Sequence, residues 1–170
     1  MMAATPVETD AGGDSVTVRF RDAMGQVAAP VCVVTILDDA HPYGTTVSAF
    51  MSLSMAPPML LLSLDNTSRL LSRISFGSRL GVNILATDQQ ALASRFASKI
   101  DDKFDGVDWF LDADAPRFDS VHAWVCLDVR EIIAGGDHRV ILGEVVAAEA
   151  LEGFQPLTYH RRTFGTHAAL

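Results

Sequence analysis

The segment that most constrains the fold is Gly44–Leu64, GTTVSAFMSLSMAPPMLLLSL. Apolar and small polar residues alternate as far as Met55, and a period of two indicates extended strand structure. Pro57-Pro58 interrupts this pattern, because proline has no N–H to donate and is excluded from helix interiors and central strands. Met59–Leu64 then continues as a dense apolar run. The segment therefore predicts a strand, a rigid corner and a buried strand.

Small hydroxyl side chains lie next to this corner, at Thr45, Thr46 and Ser48. Small side chains allow a flat ligand to approach the backbone closely, and Ser and Thr add donors and acceptors. An ordinary edge strand with solvated hydroxyls would show the same pattern. The pattern alone leaves both interpretations open.

Length and composition favour one globular domain. The chain has 170 residues and 18.3 kDa, with 49% hydrophobic and 20% charged residues, which is enough to bury a core. We expect a flexible N-terminal tail over residues 1–15 and a single domain over residues 16–170. The tail has neither a basic nor an apolar segment of the kind found in signal peptides. No apolar run approaches the roughly 20 residues of a membrane helix, so no membrane association is expected.

The charge balance argues against nucleic acid as a partner. The formal net charge is −8 and the isoelectric point about 4.9, and an acidic chain without a basic cluster repels nucleic acid and anionic membranes. The two cysteines, Cys32 and Cys126, lie in apolar runs without CxxC spacing. We interpret both as reduced core residues of a cytoplasmic protein.

The remaining chain is rich in strands. Val16–Met24 has helical spacing and stops at Gly25, whereas the other periodic segments indicate strands joined by short connectors. The strands are predicted at Val31–Leu37, Leu80–Leu85, Val121–Arg130 and Arg139–Ala148, the last two flanking a hairpin turn at Gly135-Gly136-Asp137. This pattern predicts a mainly β protein, a closed or nearly closed antiparallel barrel with short connecting helices.

Two connectors carry capping signals. Residues 65–68 precede a predicted helix at Arg69–Phe76, whose N-terminus is either an anion site or a plain capped connector. Thr87 and Gln90 fit a capping box at the start of a second helix. The only two lysines, Lys99 and Lys103, share the polar loop that follows, where they either bind a phosphate or are solvated.

Familiar catalytic motifs are absent from the sequence. It contains no GxGxxG or GxxxxGK[ST] loop, no GxSxG elbow and no HExxH or comparable metal-ligand spacing. We therefore predict no metal site. If the chain is an enzyme, a bound cofactor is expected to supply the chemistry.

Five segments in order, however, resemble one family. They are the Gly44–Leu64 segment, RLGVNIL, SRFASKIDDKFDGVDW, GGDHRVILGEV and YHRRTFG. Together they are similar to the flavin reductase family, the small reductase components of two-component flavin-dependent monooxygenases. The resemblance implies a split β-barrel of Greek-key type, a homodimer with flavin near the subunit interface, and a separate flavin-dependent monooxygenase that receives the reduced flavin.

The resemblance also implies site residues. Those expected to bind flavin are Thr45, Thr46, Val47, Ser48, Ala49, Phe50, Ser52, Ser54, Asn66, Ser68, Asn83, Leu85, Ser94, Phe96, Lys103 and Phe104. Those expected near the nicotinamide nucleotide are His138, Tyr159 and Arg161. Without the resemblance, His138 would be read as a turn residue. Asp105 follows the Lys-Phe pair where family members often have Ala, which places a negative charge near the implied phosphate.

The implied activity is that of an NAD(P)H:flavin oxidoreductase. It would reduce FAD or FMN with NADH, with NADPH possible, and no residue of the chain is singled out as catalytic. The alternatives are a non-catalytic flavin-binding electron carrier on the same barrel and a small β-barrel interaction protein without cofactor. Flavin binding and NADH consumption by the purified protein distinguish the three.

Overall fold

The computed structural model describes residues 15–169. Helix α1 spans Val16–Gly25 and helix α2 spans Gln90–Ala97, with single 3₁₀ turns at Leu71–Arg73 and Thr87–Gln89. Within this part of the chain, no helix is long and apolar enough to cross a membrane. The predicted flexible tail, residues 1–15, lies outside the described residues except for Ser15, whose hydroxyl accepts from the Val18 N–H at the start of α1.

Strands make up most of the described chain. In order they are β1 (Ala29–Pro30), β2 (Cys32–Asp38), β3 (His41–Val47), β4 (Phe50–Met55), β5 (Pro58–Asp65), β6 (Arg79–Ile84), β7 (Trp109–Asp112), β8 (Ala115–Phe118), β9 (Ala123–Gly135), β10 (His138–Ala150), β11 (Leu157–His160) and β12 (Thr163–Thr166). All pairings are antiparallel. The main sheet has the order β3-β2-β6-β9-β10-β5-β4, and smaller sheets are formed by β1-β11-β12 and β7-β8.

The main sheet must curl on itself, because its two edge strands are consecutive in sequence. In a flat sheet, the six spacings between seven strands would place β3 about 29 Å from β4. Only Ser48 and Ala49 separate the two strands, and the three Cα–Cα steps from Val47 to Phe50 reach about 11 Å at most. The Ser63 N–H also donates to the Ala49 carbonyl across this junction (2.9 Å). The predicted mainly β, nearly closed antiparallel barrel is confirmed.

Both faces of the central strands are buried. Alternate residues along β2 point to opposite sides: Cys32 and Val34 belong to an inner cluster, whereas Val33, with Val31 just before the strand, belongs to an outer cluster. The inner cluster fills the barrel with Leu62, Leu80, Val82, Leu127, Val129 and Ile141, among others. The outer cluster packs α2, β8 and β11 against the outside of the sheet through Leu85, Phe96, Phe118, Trp124, Cys126 and Leu157, among others.

Both cysteines are free and buried, as the sequence predicted. Burial raises the pKa of the Cys32 thiol well above its usual range. The same effect raises the pKa of Cys126 to about 11. Both side chains are therefore protonated thiols at neutral pH.

A buried polar network joins β8 to the barrel. Asn83, which is fully buried, accepts from the Phe118 N–H (2.8 Å) and donates to the Val33 carbonyl (3.2 Å). Thr35 Oγ1 donates to the Pro116 carbonyl (2.6 Å). The side chains of Asn83 and Thr35 thus have hydrogen-bond partners, which offsets the cost of removing these polar groups from water.

The helix predicted at Arg69–Phe76 is wrong. Only Leu71–Arg73 forms a 3₁₀ turn, and Ile74 is already extended. Leu70 and Ile74 are buried in the inner cluster, and Arg73 binds Asp38 (2.6 Å). These tertiary contacts override the local helical pattern, and the suggested helix N-terminal anion site is not formed.

The predicted capping box is shifted by one residue. The side chain that reaches back belongs to Gln89, whose Oε1 accepts from the Ala86 N–H (2.9 Å). Thr87 instead donates its hydroxyl to the Gln155 carbonyl (3.0 Å) and so ties this turn to the segment before β11. The Thr87 hydroxyl, which the sequence pattern assigned to the helix cap, is therefore used in a contact with a residue distant in sequence.

Replacing Gly81 should weaken the fold. A Cβ there would lie 2.6 Å from Thr35 Oγ1 and 2.9 Å from the Pro116 carbonyl oxygen, which is backbone and cannot move aside. We expect Gly81→Ala to lower the free energy of unfolding by about 1–3 kcal/mol, the range for overpacked cores. Urea denaturation measures this. Gly25→Ala is the matched control, since a Cβ at Gly25 meets nothing within 4 Å, and an equal loss in both variants would contradict the argument.

Candidate active site

Two adjoining cavities lie along the junction of β3 and β4. The smaller, of about 250 Å³, is lined by Thr45, Thr46, Val47, Ser48, Ala49, Ser63, Leu64, Asp65, Ser68 and His138. The larger, of about 560 Å³, is lined by Val31, Thr46, Ser48, Ala93, Ser94, Ala97, Ser98, Tyr159, Arg162 and Phe164. Thr46 and Ser48 line both. The cavities therefore form one groove on the outside of the barrel.

Helix α2 forms one wall of the groove because three contacts dock it on β3. Thr46 Oγ1 donates to the Ala93 carbonyl (2.7 Å). Gly44 allows close approach, since a Cβ there would lie 2.8 Å from the Phe96 ring. Lys103, in the loop after α2, donates to the carbonyls of Phe96 (2.6 Å) and Gly44 (3.4 Å). This docking places Ser94 at the groove.

Several hydroxyls in the groove are available to a ligand. Among residues 15–169, the side chains of Thr45, Ser48, Ser63 and Ser94 have no hydrogen-bond partner, whereas that of Thr46 is engaged with Ala93. Hydroxyls can both donate and accept. Together with the small side chain of Ala49, they provide a surface that a planar, polar ring can approach, so the residues present fit a flavin.

The smaller cavity has an acidic wall. Hydrogen bonds from the hydroxyl and the N–H of Thr67 (2.6 and 2.7 Å) hold the pKa of Asp65 below its usual range. His138 lies opposite Asp65 in the register of β5 and β10. Its Nδ1 donates to the carboxylate of Asp137 (2.7 Å), so in the neutral ring Nε2 is an acceptor.

The larger cavity has an aromatic and cationic wall. Tyr159 and Phe164 pack on each other across the β11–β12 hairpin, with ring centroids 5.1 Å apart. The hairpin turn between the two strands is Arg161-Arg162, with φ of 49° and 63°, the positive values that a two-residue type I′ turn requires. Arg162 lines the cavity.

The structure brings nine of the predicted residues to the groove: Thr45, Thr46, Val47, Ser48, Ala49, Ser68, Ser94, His138 and Tyr159. The others do not line it: Phe50, Ser52, Ser54, Asn66, Asn83, Leu85, Phe96, Lys103, Phe104 and Arg161. Of these, Phe50, Ser52 and Ser54 lie on edge strand β4, and Asn66 donates its side-chain N–H to the Gly136 carbonyl (3.4 Å).

Four of the predicted residues that do not line the groove are core residues in this structure. Asn83, Leu85 and Phe96 have no exposed surface, and Phe104 has 7%. Asn83 belongs to the network described above, and Phe96 packs edge-on against Phe104 with centroids 4.9 Å apart. They support the wall behind the groove and do not line it.

The charged groups of Lys103 and Arg161 are engaged by other groups of the protein. The Lys103 ammonium binds two carbonyls, and burial, followed by the charge of Arg69, lowers its pKa. Arg161 Nε donates to Gln26 Oε1 (2.7 Å) beyond α1. Neither is placed in the groove.

Sequence reasoning missed several groove residues, including Ser63, Asp65 and Arg162. Ser63 had a usable signal, since it interrupts the apolar run of β5 next to the Ser-rich β4. Arg162 had none, because which of two adjacent arginines faces the cavity depends on the turn geometry.

Comparisons with known proteins identify the family. The model of the flavin reductase like domain matches residues 24–168. A probable flavin reductase of Rhizobium meliloti (strain 1021) is 38% identical over 149 residues, covering 86% of this chain and 48% of its own length. The reductase component of 4-nitrophenol 4-monooxygenase/4-nitrocatechol 2-monooxygenase of Rhodococcus opacus is 38% identical over 147 residues, covering 86% and 79%.

A solved structure shares the architecture. The NADH:FAD oxidoreductase SgcE6 of Streptomyces globisporus C-1027, in complex with NAD and FAD fragments, superposes with a TM-score of 0.84 at 28% identity, covering 90% of this chain and 93% of its own. The fold and groove define a split-barrel flavoprotein. The chain belongs to the flavin reductase family. The prediction of a flavin reductase using flavin and a nicotinamide nucleotide is confirmed, while the roles of individual residues remain predictions.

Enlarging Ala49 should reduce flavin affinity. Ala49 is exposed in the smaller cavity between β3 and β4, so a leucine there would occupy ligand space without entering the core. We expect Ala49→Leu to raise the flavin Kd about tenfold, equivalent to about 1.4 kcal/mol, with an unchanged unfolding midpoint. Flavin fluorescence titration measures this. Ala91→Leu, on the exposed side of α2, is the control, and an unchanged Kd in Ala49→Leu would count against this placement.

Proposed function

We propose that this chain is the NADH-dependent reductase component of a two-component system. It reduces FAD or FMN and supplies the reduced flavin to a separate flavin-dependent monooxygenase. The observation that carries the proposal is the groove at the β3–β4 junction, whose free hydroxyls and small side chains fit a planar cofactor. The Rhodococcus opacus relative, named as a monooxygenase reductase component, supports the partner.

The chemistry, acceptance of a hydride from the reduced nicotinamide nucleotide, would be supplied by a flavin held in the groove. The chain's own residues bind, orient and shield the reactants. The Thr45–Ala49 segment presents its backbone and small side chains to the ring, and His138 offers Nε2 as an acceptor to the nicotinamide carboxamide. Alignment of the flavin and the nicotinamide nucleotide in one groove would accelerate hydride transfer without a general acid or base.

One assay tests the proposed activity. Purified protein is mixed with NADH and FMN or FAD, and NADH loss is followed at 340 nm under anaerobic conditions with excess flavin. We expect multiple turnovers. Flavin binding without NADH loss would instead support the electron carrier, and absence of both would support an interaction protein without cofactor. Transfer to a monooxygenase is then tested by adding an oxygenase component and measuring product.

His138 should affect the nicotinamide nucleotide more than the flavin. It lies at the start of β10, 42% exposed and held by Asp137. If Nε2 accepts one hydrogen bond worth roughly 0.5–3 kcal/mol, His138→Ala lowers kcat/KM for NADH about threefold to a hundredfold through KM. Flavin Kd stays within about twofold of the wild type.

The control for this variant is His41→Ala, since His41 is exposed in the β2–β3 hairpin and, among residues 15–169, its ring hydrogen-bonds only to the Asp39 carbonyl. Loss of flavin binding in His138→Ala would make His138 a flavin ligand. Unchanged kinetics would leave it a turn residue.

We further propose a homodimer, because a large apolar surface is uncovered. On edge strand β4, Met51, Leu53 and Met55 are 59%, 44% and 84% exposed. Helix α1 has no buried residue, and its Phe20 side chain is 64% exposed. Exposed apolar patches of this kind mark interaction surfaces, and a second copy would also cover the open edge of the sheet.

Light scattering tests the homodimer. We expect a mass near twice 18.3 kDa at micromolar concentration. Met55→Glu should shift the mass toward 18.3 kDa, because a charge in an apolar interface is costly to desolvate. A wild-type monomer would refute the dimer. With both cysteines buried as free thiols, we also propose that the protein works in the reducing cytoplasm.

A further inference from the structure

The smaller cavity contains a carboxylate and neither lysine nor arginine. Among the described residues that line it, only Asp65 and His138 have acidic or basic side chains. The Nδ1 atom of His138 is bound to the Asp137 carboxylate (2.7 Å), which places a second acidic group beside the cavity. The guanidinium of Arg162 lines the larger cavity and not this one. The charged groups of the smaller cavity therefore favour neutral or positive ligand groups over negative ones.

Two hydrogen bonds hold the Asp65 carboxylate at the end of β5. Its Oδ1 accepts from the hydroxyl and the N–H of Thr67 (2.6 and 2.7 Å), which closes a turn. The same hydrogen bonds hold the pKa of Asp65 below its usual range, so the group is ionised at neutral pH. Both donors are uncharged, and Asp65 forms no ion pair with any residue from 15 to 169. Its negative charge is therefore not neutralised by the protein.

The strand β5 directs this charge to the groove. Residues two apart on a strand point to the same side, so Asp65 shares the outer face of β5 with Ser63, while Leu64 between them is buried in the inner cluster. The Ser63 N–H donates to the Ala49 carbonyl (2.9 Å). Two residues span about 7 Å along a strand. The carboxylate therefore lies within one short step of the Thr45–Ala49 segment, against which we place the flavin ring.

Hydride transfer gives that ring a negative charge. The hydride brings one hydrogen nucleus and two electrons, so NADH becomes NAD⁺, and the neutral oxidised ring gains one hydrogen and one negative charge. Two negative charges repel each other more strongly where a bound ligand has displaced water. Charged groups near the ring are one means by which a protein tunes a flavin. An ionised carboxylate in this cavity therefore weakens binding of the reduced ring, while the neutral oxidised ring is little affected.

We propose that Asp65 makes the groove bind oxidised flavin in preference to reduced flavin, and thereby promotes release of the reduced flavin. This inference rests on the proposed function and deepens it, since a chain that supplies reduced flavin to a separate enzyme must release that product. The preference has a second consequence. The ratio of the two dissociation constants sets the midpoint potential of bound flavin relative to free flavin, and a tenfold ratio equals about 30 mV for a two-electron couple.

The test removes the charge and keeps the hydrogen bonds. In Asp65→Asn the side-chain oxygen can still accept from Thr67. The matched control is Asp119→Asn, because Asp119 is also an exposed carboxylate that accepts a backbone N–H, from Ser120 (3.0 Å), and it lines neither cavity. Far-UV circular dichroism and the unfolding midpoint establish that each variant is folded.

Three quantities are measured for the wild type and both variants, with FMN and with FAD. Fluorescence titration gives the Kd of the oxidised flavin. Anaerobic titration with chemically reduced flavin, under mildly alkaline conditions that keep the reduced ring anionic, gives the Kd of the reduced flavin. Equilibration with a reference dye gives the midpoint potential of the bound flavin.

We expect wild-type protein to bind oxidised flavin more tightly than reduced flavin. Because Asp65 is exposed, water screens part of its charge and the effect is modest. Asp65→Asn should lower the Kd of reduced flavin about three- to tenfold, and the Kd of oxidised flavin should stay within about twofold. The midpoint potential of bound flavin should rise by about 14–30 mV, which is that fold-change converted at about 30 mV per tenfold. Asp119→Asn should match the wild type in all three.

Other outcomes overturn the assignment. An equal change for oxidised and reduced flavin would mean that Asp65 acts through the shape of its turn and not through its charge. Unchanged constants in Asp65→Asn, or a wild type that prefers reduced flavin, would mean that the charge does not act on the ring. A change confined to the affinity of NAD⁺ relative to NADH would place the charge at the nicotinamide instead. Wild-type protein that binds no flavin would overturn the proposed function itself.

Discussion

The whole structure depends on the short connection between the two edge strands of the main sheet. Two residues, Ser48 and Ala49, join β3 to β4 at opposite ends of a seven-stranded order. This forces the sheet to close, which creates an enclosed core for the inner cluster. It also leaves a line along which the strands meet without a full ladder of hydrogen bonds. Both cavities lie along that line, so the barrel closes at the proposed flavin site.

Cations that do not line the groove hold its surroundings in place. Arg95 and Arg69 donate to backbone carbonyls of the loop after α2, and Lys103 in that loop donates to the carbonyls of Phe96 and Gly44. The loop between α2 and β7, residues 98–108, is thereby held against the barrel. The chain has a net charge of −8 and only 13 Lys and Arg residues. Because some of these residues hold the loop, fewer cations are left to bind anions.

The sequence predicted those features that depend on local periodicity. Alternation predicted the strand–corner–strand segment, turn residues predicted the β9–β10 hairpin, and helical spacing predicted α2. The row of small side chains at Thr45–Ala49 was also visible in the sequence. The resemblance of five segments added the class of cofactor.

Features that depend on distant contacts could not be predicted in this way. The helix expected at Arg69–Phe76 was replaced by a turn because Leu70 and Ile74 pack into the barrel. The resemblance implied site roles for Lys103, Arg161 and Asn83. In the structure, carbonyls bind Lys103 and Gln26 binds Arg161, and Asn83 satisfies buried backbone groups.

The two buried thiols lie in different hydrophobic clusters. Cys32 belongs to the inner cluster and Cys126 to the outer one, and neither reaches solvent in the folded state. A thiol-specific reagent can modify each only when its own cluster opens. Each cluster thus contains one cysteine whose labelling rate can be measured. Comparing the two rates shows whether the inner and outer clusters open together or separately. Protonated and shielded, both sulfurs also resist the peroxide that forms when reduced flavin meets oxygen.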